Sequence, residues 1–417
     1  MGYVAVKGGR DAIVASQARL TYERLAEGRV LDVADVRAGL RGAIDQVMSE
    51  ASLYDEDVAA LALKQAEGSP EEAVFLLRAF RSTLPRLHHT RTADTRPMHV
   101  ERRISATFKD VPGGQLLGAS YDYVHRLLDP DLRFETDADA RAWLARWRAE
   151  AEAAASAVGT PEGGDAEAGE GPDGASDALP KVLDYLRTEG LMEARADDDR
   201  APGDVTKAAL SFPAGRSRRL QVLTRGQTGV VTALGYASLR GFGPMLHPTV
   251  GELRVGRQPL SVPDPDAVAD QIDDPEEDHY LGTVRLTEVE TVVPVAVSAA
   301  GPQDAERTAL GFDLGYGACF GRNETKAIAM SLLDQTLEHP DPRAPTHDEE
   351  FVLLHVDAVE ASGFISHLKL PHYVTFQSEL DAVRRTRAAA LGGAGDADDA
   401  GVAGDAPDAP TDGEGTP

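Results

Sequence analysis

"GTVRLTEVETVVPVAV", residues 282–297, is dense in valine and threonine and has the composition of a β-strand. A second apolar stretch, "GYGACFGRNETKAIAMSLLDQTL" at residues 315–337, indicates a turn that leads into a helix, with Asn323 as the N-cap. Upstream, residues 216–256 combine a basic start, an apolar run and several glycines, which together predict strands and a helix. We therefore expect residues 181–389 to form a mixed α/β region that holds the functional site.

The first 99 residues have a helical pattern. Apolar residues within 32–52 recur at three- and four-residue steps and predict a buried stripe of Val36, Leu40, Ile44 and Val47. A further helix is predicted to start at Ser69, an N-cap residue followed by Pro70 at the first helical position. Residues 1–99 are therefore predicted to be a helical N-terminal region.

The rest of the chain contains one further structured segment, residues 100–148, and two acidic segments, residues 149–180 and 390–417. Residues 100–148 predict a strand, a Pro-Gly-Gly turn and a short helix. Residues 149–180 hold too few large apolar side chains to offset the entropy of ordering, so we predict a disordered acidic insert. Residues 390–417 predict a disordered acidic tail. The predicted fold class is α+β, with a helical N-terminal region before a mixed C-terminal region.

The charge balance limits the partners of the chain. Its 417 residues carry 69 acidic and 42 basic side chains, a formal net charge of -27. This excess repels nucleic acid and acidic membranes, so we expect neither as a partner. An acidic, lysine-poor surface is typical of a halophile protein in a salt-rich cytoplasm. Cys319 is the single cysteine, which rules out an internal disulfide, and no signal or membrane span is evident, so we expect a cytoplasmic location.

Basic clusters are the first candidate sites. "VKGGR" places Lys7 and Arg10 around two glycines before a helix, where they can cradle a phosphate, although such a stretch is often an ordinary turn. Two dense arginine clusters stand out in so acidic a chain, and they are formed by Arg102, Arg103, Arg216, Arg218 and Arg219. Guanidinium groups suit phosphate and carboxylate ligands. A network of salt bridges between domains or subunits is the alternative.

The second candidate is "DEEFVLLH", residues 348–355. Glu349, Glu350 and His355 are residue types that serve as general acids, general bases or stabilisers of positive charge. The alternative is a solvated charge run at the start of a strand.

The third candidate is "HLKLPHYVTF", residues 367–376, where His367 and His372 flank Lys369. Pro371 disfavours a helical backbone at Leu370, so an extended or turning chain is expected, and it can bring both imidazoles to one point. Two histidines do not complete a zinc site, which needs three or four protein ligands. Surface rings with their own hydrogen bonds are the alternative.

Several long blocks, taken in order, resemble a known family. They are "YVAVKGGRDAI", "LALKQAEGSPEEAVFLLRAFRSTL", "ERRISATFKDVPGGQLLGASYDYVHRLLD", "SRRLQVLTRG", "GYGACFGRNETKAIAMSLLDQTL" and "DEEFVLLHVDAVEASGFISHLKLPHYVTFQSEL". They look like the PhnI family, a subunit of the bacterial carbon–phosphorus lyase core complex. The resemblance implies displacement of adenine from MgATP by an alkylphosphonate, and nucleosidase activity when the subunit acts alone. It also implies G, H and J partner subunits, with the L subunit needed for synthesis.

The resemblance implies roles for the candidate residues. The pair matching His367 and His372 is expected to bind Zn²⁺ at an interface with the J subunit. Glu349 or Glu350 is then our candidate for stabilising positive charge on the sugar, and His355 for donating a proton to the base. The triphosphate, with its Mg²⁺, is assigned to Lys7, Arg10, Lys369 and the arginine clusters. A non-catalytic scaffold subunit and a stand-alone metal-dependent hydrolase are the alternative functions.

Overall fold

The structure, a computed structural model, describes residues 9–157, 179–193, 202–240, 247–264, 278–300 and 306–391. Lys7, most of the predicted insert and nearly all of the predicted tail lie outside the described residues. The helices within them are α1 (Gly9–Leu25), α2 (Val33–Gly39), α3 (Arg41–Ala51), α4 (Glu56–Gln65), α5 (Pro70–Ser82), α6 (Asp137–Ala157), α7 (Asp184–Thr188), α8 (Arg216–Arg225), α9 (Thr228–Arg240), α10 (Glu324–Glu338), α11 (Glu349–His355), α12 (Ala358–Ser366) and α13 (Tyr373–Ala390).

The described strands form one antiparallel sheet. Its order is β1 (His99–Ile104), β2 (Thr249–Val262), β3 (His279–Ala300) and β4 (Glu306–Phe320). Strand β3 contains the valine-rich stretch at 282–297, as the sequence predicts. Helices and an antiparallel sheet that are largely segregated along the chain confirm the α+β class.

One face of the sheet packs against α10. Val255, Val289 and Cys319 are fully buried there together with Met330 and Leu333 of the helix. The helix approaches β4 closely, because a Cβ atom added at Gly315 would lie 2.1 Å from the carbonyl oxygen of Ser331, and one added at Gly317 would lie 2.1 Å from that of Ala327. Only glycine permits this spacing.

The N-terminal helices α2 to α5 have their own apolar core. Val36, Ile44 and Val47 are buried in it as predicted, but Leu40 is 47% exposed. The helical pattern predicted over residues 32–52 is interrupted at Leu40, which has φ -110° and ψ 39° and separates α2 from α3. The buried residues are therefore divided between two helices, with Val36 on α2 and Ile44 and Val47 on α3, and Leu40 lies at the break.

Three local predictions can be compared with the observed helix starts. The Ser69 side chain accepts a hydrogen bond from the Glu72 amide at 3.4 Å, and Asn323 accepts one from the Lys326 amide at 3.2 Å, so both predicted N-caps are confirmed. The stretch 348–355 is not a strand start: Asp348 caps α11 by accepting from the Phe351 amide at 2.9 Å. Acidic residues in the first turn favour this helix.

Helix α6 reaches beyond the boundary expected from composition. It continues to Ala157, so residues 149–157 of the acidic insert are helical. Alanine and glutamate dominate this part of the helix, and both have high helix propensity. A low content of large apolar residues does not by itself end a helix.

The chain divides into two compact units, one formed by Met1–Gln17 with Ser362–Pro417 and the other by Ala18–Ala361. The described part of the first unit consists of helical segments near the two ends of the chain. The second contains the sheet and both apolar cores described above.

Within the described ranges, no single helix is both long enough and apolar enough to span a membrane. The bent pair Glu349–His355 and Ala358–Lys369 meets both conditions when its two halves are taken together.

Candidate functional site

The first arginine cluster lies inside the protein. The Arg102 side chain is fully buried and pairs with Asp122 at 2.6 Å and with Glu324 at 2.9 Å. Arg103 pairs with Glu252 at 2.5 Å, and both side chains are at most 3% exposed. The donors of these two guanidinium groups are therefore largely used by carboxylates and carbonyls of the chain itself, which is the arrangement of the salt-bridge alternative.

The second cluster lies at the start of α8. Arg216 pairs with Asp334 of α10 through two hydrogen bonds, of 3.0 and 2.5 Å. Arg219 pairs with Glu338 of α10, and Arg218 lies 3.5 Å from the Ser211 hydroxyl. The cluster thus joins α8 to α10, and only Arg218 has no carboxylate partner among the described ion pairs.

The predicted catalytic residues Glu349, Glu350 and His355 lie on α11. Glu349 accepts a hydrogen bond from the Ala214 amide and lies 3.8 Å from Arg219. Glu350 and His355 are exposed, and the His355 Nδ1 atom is 2.6 Å from the Phe351 carbonyl oxygen of the same helix. The structure therefore gives Glu349 a role in holding the start of α8.

The histidine pair lies in the unit formed by the chain ends. The ring centres of His367 and His372 are 5.5 Å apart, and the backbone turns between them, with Leu370 extended at φ -75° and ψ 157°. In each ring Nδ1 lies at hydrogen-bond distance from a backbone carbonyl, of Phe364 and of Leu370. Because a carbonyl oxygen only accepts, Nδ1–H donates in each ring, and Nε2 is the nitrogen that carries the lone pair. Lys369 is exposed between them.

No group of three or more His, Cys, Asp or Glu side chains suited to a metal ion occurs within the described ranges. The histidine pair is thus at most half of a metal site within these residues. Arg10 lies exposed in the first turn of α1.

A buried band of charge crosses the sheet on the face opposite α10. Glu288 and Glu290 are two positions apart on β3, so their side chains share one face. In the strand register Arg254 lies opposite Glu288, and Glu252 lies opposite Glu290. All four are at most 5% exposed. Burying four charges costs free energy unless they are paired.

Glu288 is held as a carboxylate. It accepts hydrogen bonds from Lys181 at 2.9 Å, Arg254 at 2.5 Å, Tyr316 at 3.0 Å and Thr95 at 2.7 Å. Burial raises the pKa of Glu288, but the charges of Lys181 and Arg254 outweigh burial and lower it to about 2. Glu288 is therefore ionised at neutral pH.

Glu290 has the opposite environment. Its Oε1 atom lies 3.4 Å from the Lys181 ammonium, and its buried Oε2 atom has no hydrogen-bond partner among the described residues. Burial raises the pKa of Glu290, Lys181 lowers it in part, and the negative charge of Glu288 raises it again, so the net shift is upward. Two neighbouring carboxyl groups whose pKa values move apart are the usual mark of an acid–base pair.

A cavity of about 940 Å³ opens beside this band. It is lined by β3, β4 and the segment around α7, and Glu290 forms part of its wall. The volume is near the upper end of the range for small-molecule sites. Its other polar lining residues are three cations, Arg96, Lys181 and Arg187, with Asp94, Asp184, Glu193, Asp313 and His339.

The cations of this cavity share their charge with carboxylates. Arg96 pairs with Asp94 at 3.1 Å, and Arg187 pairs with Asp184 at 2.7 Å. The Arg96 side chain is 54% exposed, so part of its guanidinium remains open to a ligand. A bare polyanion meets more acids than cations here, whereas an anion that carries a divalent cation is better matched.

A histidine–aspartate pair completes the cavity wall. His339 Nε2 lies 2.8 Å from an Asp313 carboxylate oxygen. Such a pair holds an imidazole in one orientation and suits it to accept a proton.

None of these cavity residues was among the sequence candidates. The available signal was "TEVE" within 282–297, where two glutamates fall on one face of an otherwise apolar strand. Acids at alternate positions of a strand that is too apolar to face water indicate a buried, and therefore specialised, pair. Lys181, Arg96 and His339 have no comparable local signal, because only the tertiary fold brings them to β3.

Comparison with known proteins agrees with the resemblance of the sequence. A family profile described as "Bacterial phosphonate metabolism protein (PhnI)" matches residues 2–390. The chain is 42% identical over 407 residues to the alpha-D-ribose 1-methylphosphonate 5-triphosphate synthase subunit PhnI of Rhizobium meliloti (strain 1021), covering 94% of this chain and 97% of that protein. It is 40% identical over 389 residues to the protein of the same name from Escherichia coli (strain K12), covering 92% and 98%. The chain therefore belongs to the PhnI family of bacterial phosphonate metabolism proteins.

Proposed function

We propose that this chain is a subunit of the enzyme that displaces adenine from MgATP with an alkylphosphonate, which for methylphosphonate gives alpha-D-ribose 1-methylphosphonate 5-triphosphate. When the chain acts alone, water replaces the phosphonate and the reaction is that of a purine nucleotide nucleosidase. Family membership and the names of the two relatives support the pathway and the product. The productive partners are the G, H, J and L subunits of the carbon–phosphorus lyase system.

The single observation that carries the chemistry is the cavity that joins cations to a buried carboxyl pair. Breaking the N-glycosidic bond builds positive charge at C1′ of the ribose, and nearby negative charge stabilises it. Glu288 provides fixed negative charge behind the wall, and Glu290 lies in the wall itself. Arg96 and Arg187 in the cavity lining suit the phosphate groups. The acids around them favour the magnesium complex over free ATP.

The site residues predicted from the sequence are given a role here according to their exposure in the structure. Glu350, His355 and Arg218 remain open to solvent, or in part so, and are available to substrate or to a partner subunit. Arg102, Arg103, Arg216 and Glu349 are used within the fold, so for these four we propose support of the site rather than contact with the nucleotide.

We propose that His367 and His372 supply two ligands of a zinc ion shared with the J subunit. Two imidazoles on one tetrahedral zinc ion hold their ring centres roughly 5 Å apart. The observed 5.5 Å and the two free Nε2 atoms fit this arrangement. When bound, zinc would join the two subunits and lower the pKa of any water among its ligands.

One experiment separates the proposed function from its alternatives. The full-length chain, alone and with its companion subunits, is incubated with MgATP in molar KCl, and the products are resolved by ion-exchange chromatography. Release of free adenine supports the proposal. The chain alone should then give ribose 5-triphosphate, whereas the chain with its companions and methylphosphonate should give alpha-D-ribose 1-methylphosphonate 5-triphosphate. Release of inorganic phosphate without adenine would instead indicate the hydrolase, and intact ATP in every mixture would indicate the scaffold.

A further inference from the structure

A purine base departs with difficulty as an anion. Its departure becomes easier when a proton reaches a ring nitrogen as the bond to C1′ breaks, because the base then leaves as a neutral molecule. The donor must lie in the binding cavity and must still hold its proton at the working pH. Few side chains meet both conditions near neutral pH.

Glu290 meets the geometric condition. It lies in the cavity wall, is only 5% exposed, and has one oxygen at 3.4 Å from Lys181 and the other without a hydrogen-bond partner in the described residues. An unpaired buried carboxylate oxygen is costly, whereas a protonated one can donate its proton to a ligand. The Glu290 carboxyl, which lines the cavity wall, is thus suited to act as a donor when it is protonated.

The charged and titratable groups around Glu290 come from every element packed against it. They are Glu252 and Arg254 on β2, Glu288 on β3, Tyr316 on β4, Arg96 before β1, Lys181 in the loop before α7, and Arg187 on α7. Burial and the two acids favour the protonated form, whereas Lys181 and Arg187 oppose it. The balance raises the pKa of Glu290 above its usual value.

We propose that Glu290 is the general acid that protonates the departing purine in this cavity, an inference that rests on the proposed function. As the C1′–N9 bond breaks, its electron pair passes to the base and the Glu290 proton goes to a ring nitrogen. An oxygen of the phosphonate, or of water when the chain acts alone, forms the new bond to C1′. Glu290 is left as a carboxylate and regains a proton from solvent, or from the attacking water.

The other candidates for this role are less suitable. His355 is exposed on α11, and Glu349 already accepts a hydrogen bond from the Ala214 amide. His339 is in the cavity but is paired with Asp313, which suits it to receive the proton of the attacking water. Glu288 is ionised and therefore has no proton to donate.

The test uses a base that needs no proton. In 7-methylguanosine triphosphate the purine is already cationic, so it leaves as a neutral molecule without help from an acid. We expect Glu290→Gln to lower kcat/KM for GTP by about a hundredfold or more, and to leave that for the methylated nucleotide within about tenfold of wild type. Glu360→Gln, at an exposed glutamate of α12, is the matched control and should leave both rates unchanged.

The outcomes distinguish this inference from the proposed function. If the wild-type chain and its complex release no base from GTP or ATP, the proposed function fails and the inference fails with it. If wild type is active and Glu290→Gln slows both substrates equally, or neither, only the general-acid role is overturned.

A variant that does not fold still leaves a decisive measurement on wild type. The rate with GTP should fall as the pH rises through the pKa of Glu290, and the rate with the methylated nucleotide should show no such fall over the pH range in which its purine is cationic. Identical pH profiles for the two substrates would overturn the inference.

Discussion

Replacing Arg103 by methionine should destabilise the protein severely. Methionine keeps much of the length of the side chain but removes its charge, its 2.5 Å ion pair with Glu252, and its hydrogen bonds to the Pro112 and Pro180 carbonyls at 2.6 and 2.7 Å. Glu252 would keep the Val182 amide, at 3.2 Å, as its donor. Leaving one partner of a buried ion pair uncompensated costs about 3–5 kcal/mol. That is a large share of the roughly 5–15 kcal/mol by which a typical protein is stable.

The assay is urea unfolding of the full-length chain in molar KCl, monitored by circular dichroism. The free energies of unfolding are compared between variants with the same m-value, the dependence of that free energy on urea concentration. Arg257→Met is the matched control, because Arg257 of β2 pairs with Glu101 of β1 at 3.2 Å, as Arg103 of β1 pairs with Glu252 of β2, but the Arg257 side chain is 49% exposed. This exposed pair should contribute less than about 1 kcal/mol. Adding Glu252→Gln to Arg103→Met should recover part of the loss, since it removes the uncompensated charge.

The opposite outcome would restore the role first expected from the sequence. If Arg103→Met unfolds within about 1 kcal/mol of wild type but no longer binds MgATP, Arg103 contacts the nucleotide and the reasoning from burial is refuted. If both stability and binding fall, the recovery in the double variant decides, because a nucleotide ligand would not be restored by removing Glu252.

Further outcomes follow from individual contacts. The pKa of Glu288 is about 2 in the folded protein and 4.5 for the free side chain, so ionised Glu288 should contribute about 3 kcal/mol to stability above pH 4.5. This contribution should be lost as the pH falls toward 2. The unfolding free energies of wild type and Glu288→Gln, measured between pH 6 and 2, should therefore converge in acid. Burial raises the pKa of Cys319 to about 12, so a thiol reagent at pH 8 should label it only after unfolding, and rapid labelling of the native protein would contradict its placement. Asp348→Ala removes the cap of α11 and should cost about 1 kcal/mol, whereas Asp348→Asn should cost far less. Zinc bound per intact complex, measured by atomic absorption, should fall when His367 and His372 are both replaced by alanine, and unchanged zinc would reject the shared site.

Local signals in the sequence were sufficient for several elements. Ser69 with Pro70 and Asn323 cap their own helices, so the information needed to predict α5 and α10 lies within a few residues. The valine-rich run of β3 is likewise readable from composition. Leu40 shows where this approach fails, because a break between two helices depends on how each packs and not on the apolar spacing.

The candidate site was largely beyond the reach of sequence patterns. Arginine-rich stretches attract attention as ligand sites, but Arg103 and Arg216 are paired with carboxylates more than a hundred residues away. Conversely, Glu290 stands in an ordinary strand, and its raised pKa arises from burial, Glu288 and Glu252, which no local window brings together. Only the alternation of the two glutamates on β3 pointed toward the cavity.

The glycine contacts between β4 and α10 bear on how the specificity of the protein can change. Backbone meets backbone at Gly315 and Gly317, so neither the strand nor the helix can shift to make room for a larger side chain. Tyr316 lies between the two glycines and faces the charged band, so its position is fixed by the same backbone contacts. On the proposed function, new substrates are therefore more readily accommodated by altering the exposed lining residues Leu191 and Glu193 than by altering β4. Amide hydrogen exchange at 315–317 should remain slow whether or not a nucleotide is bound.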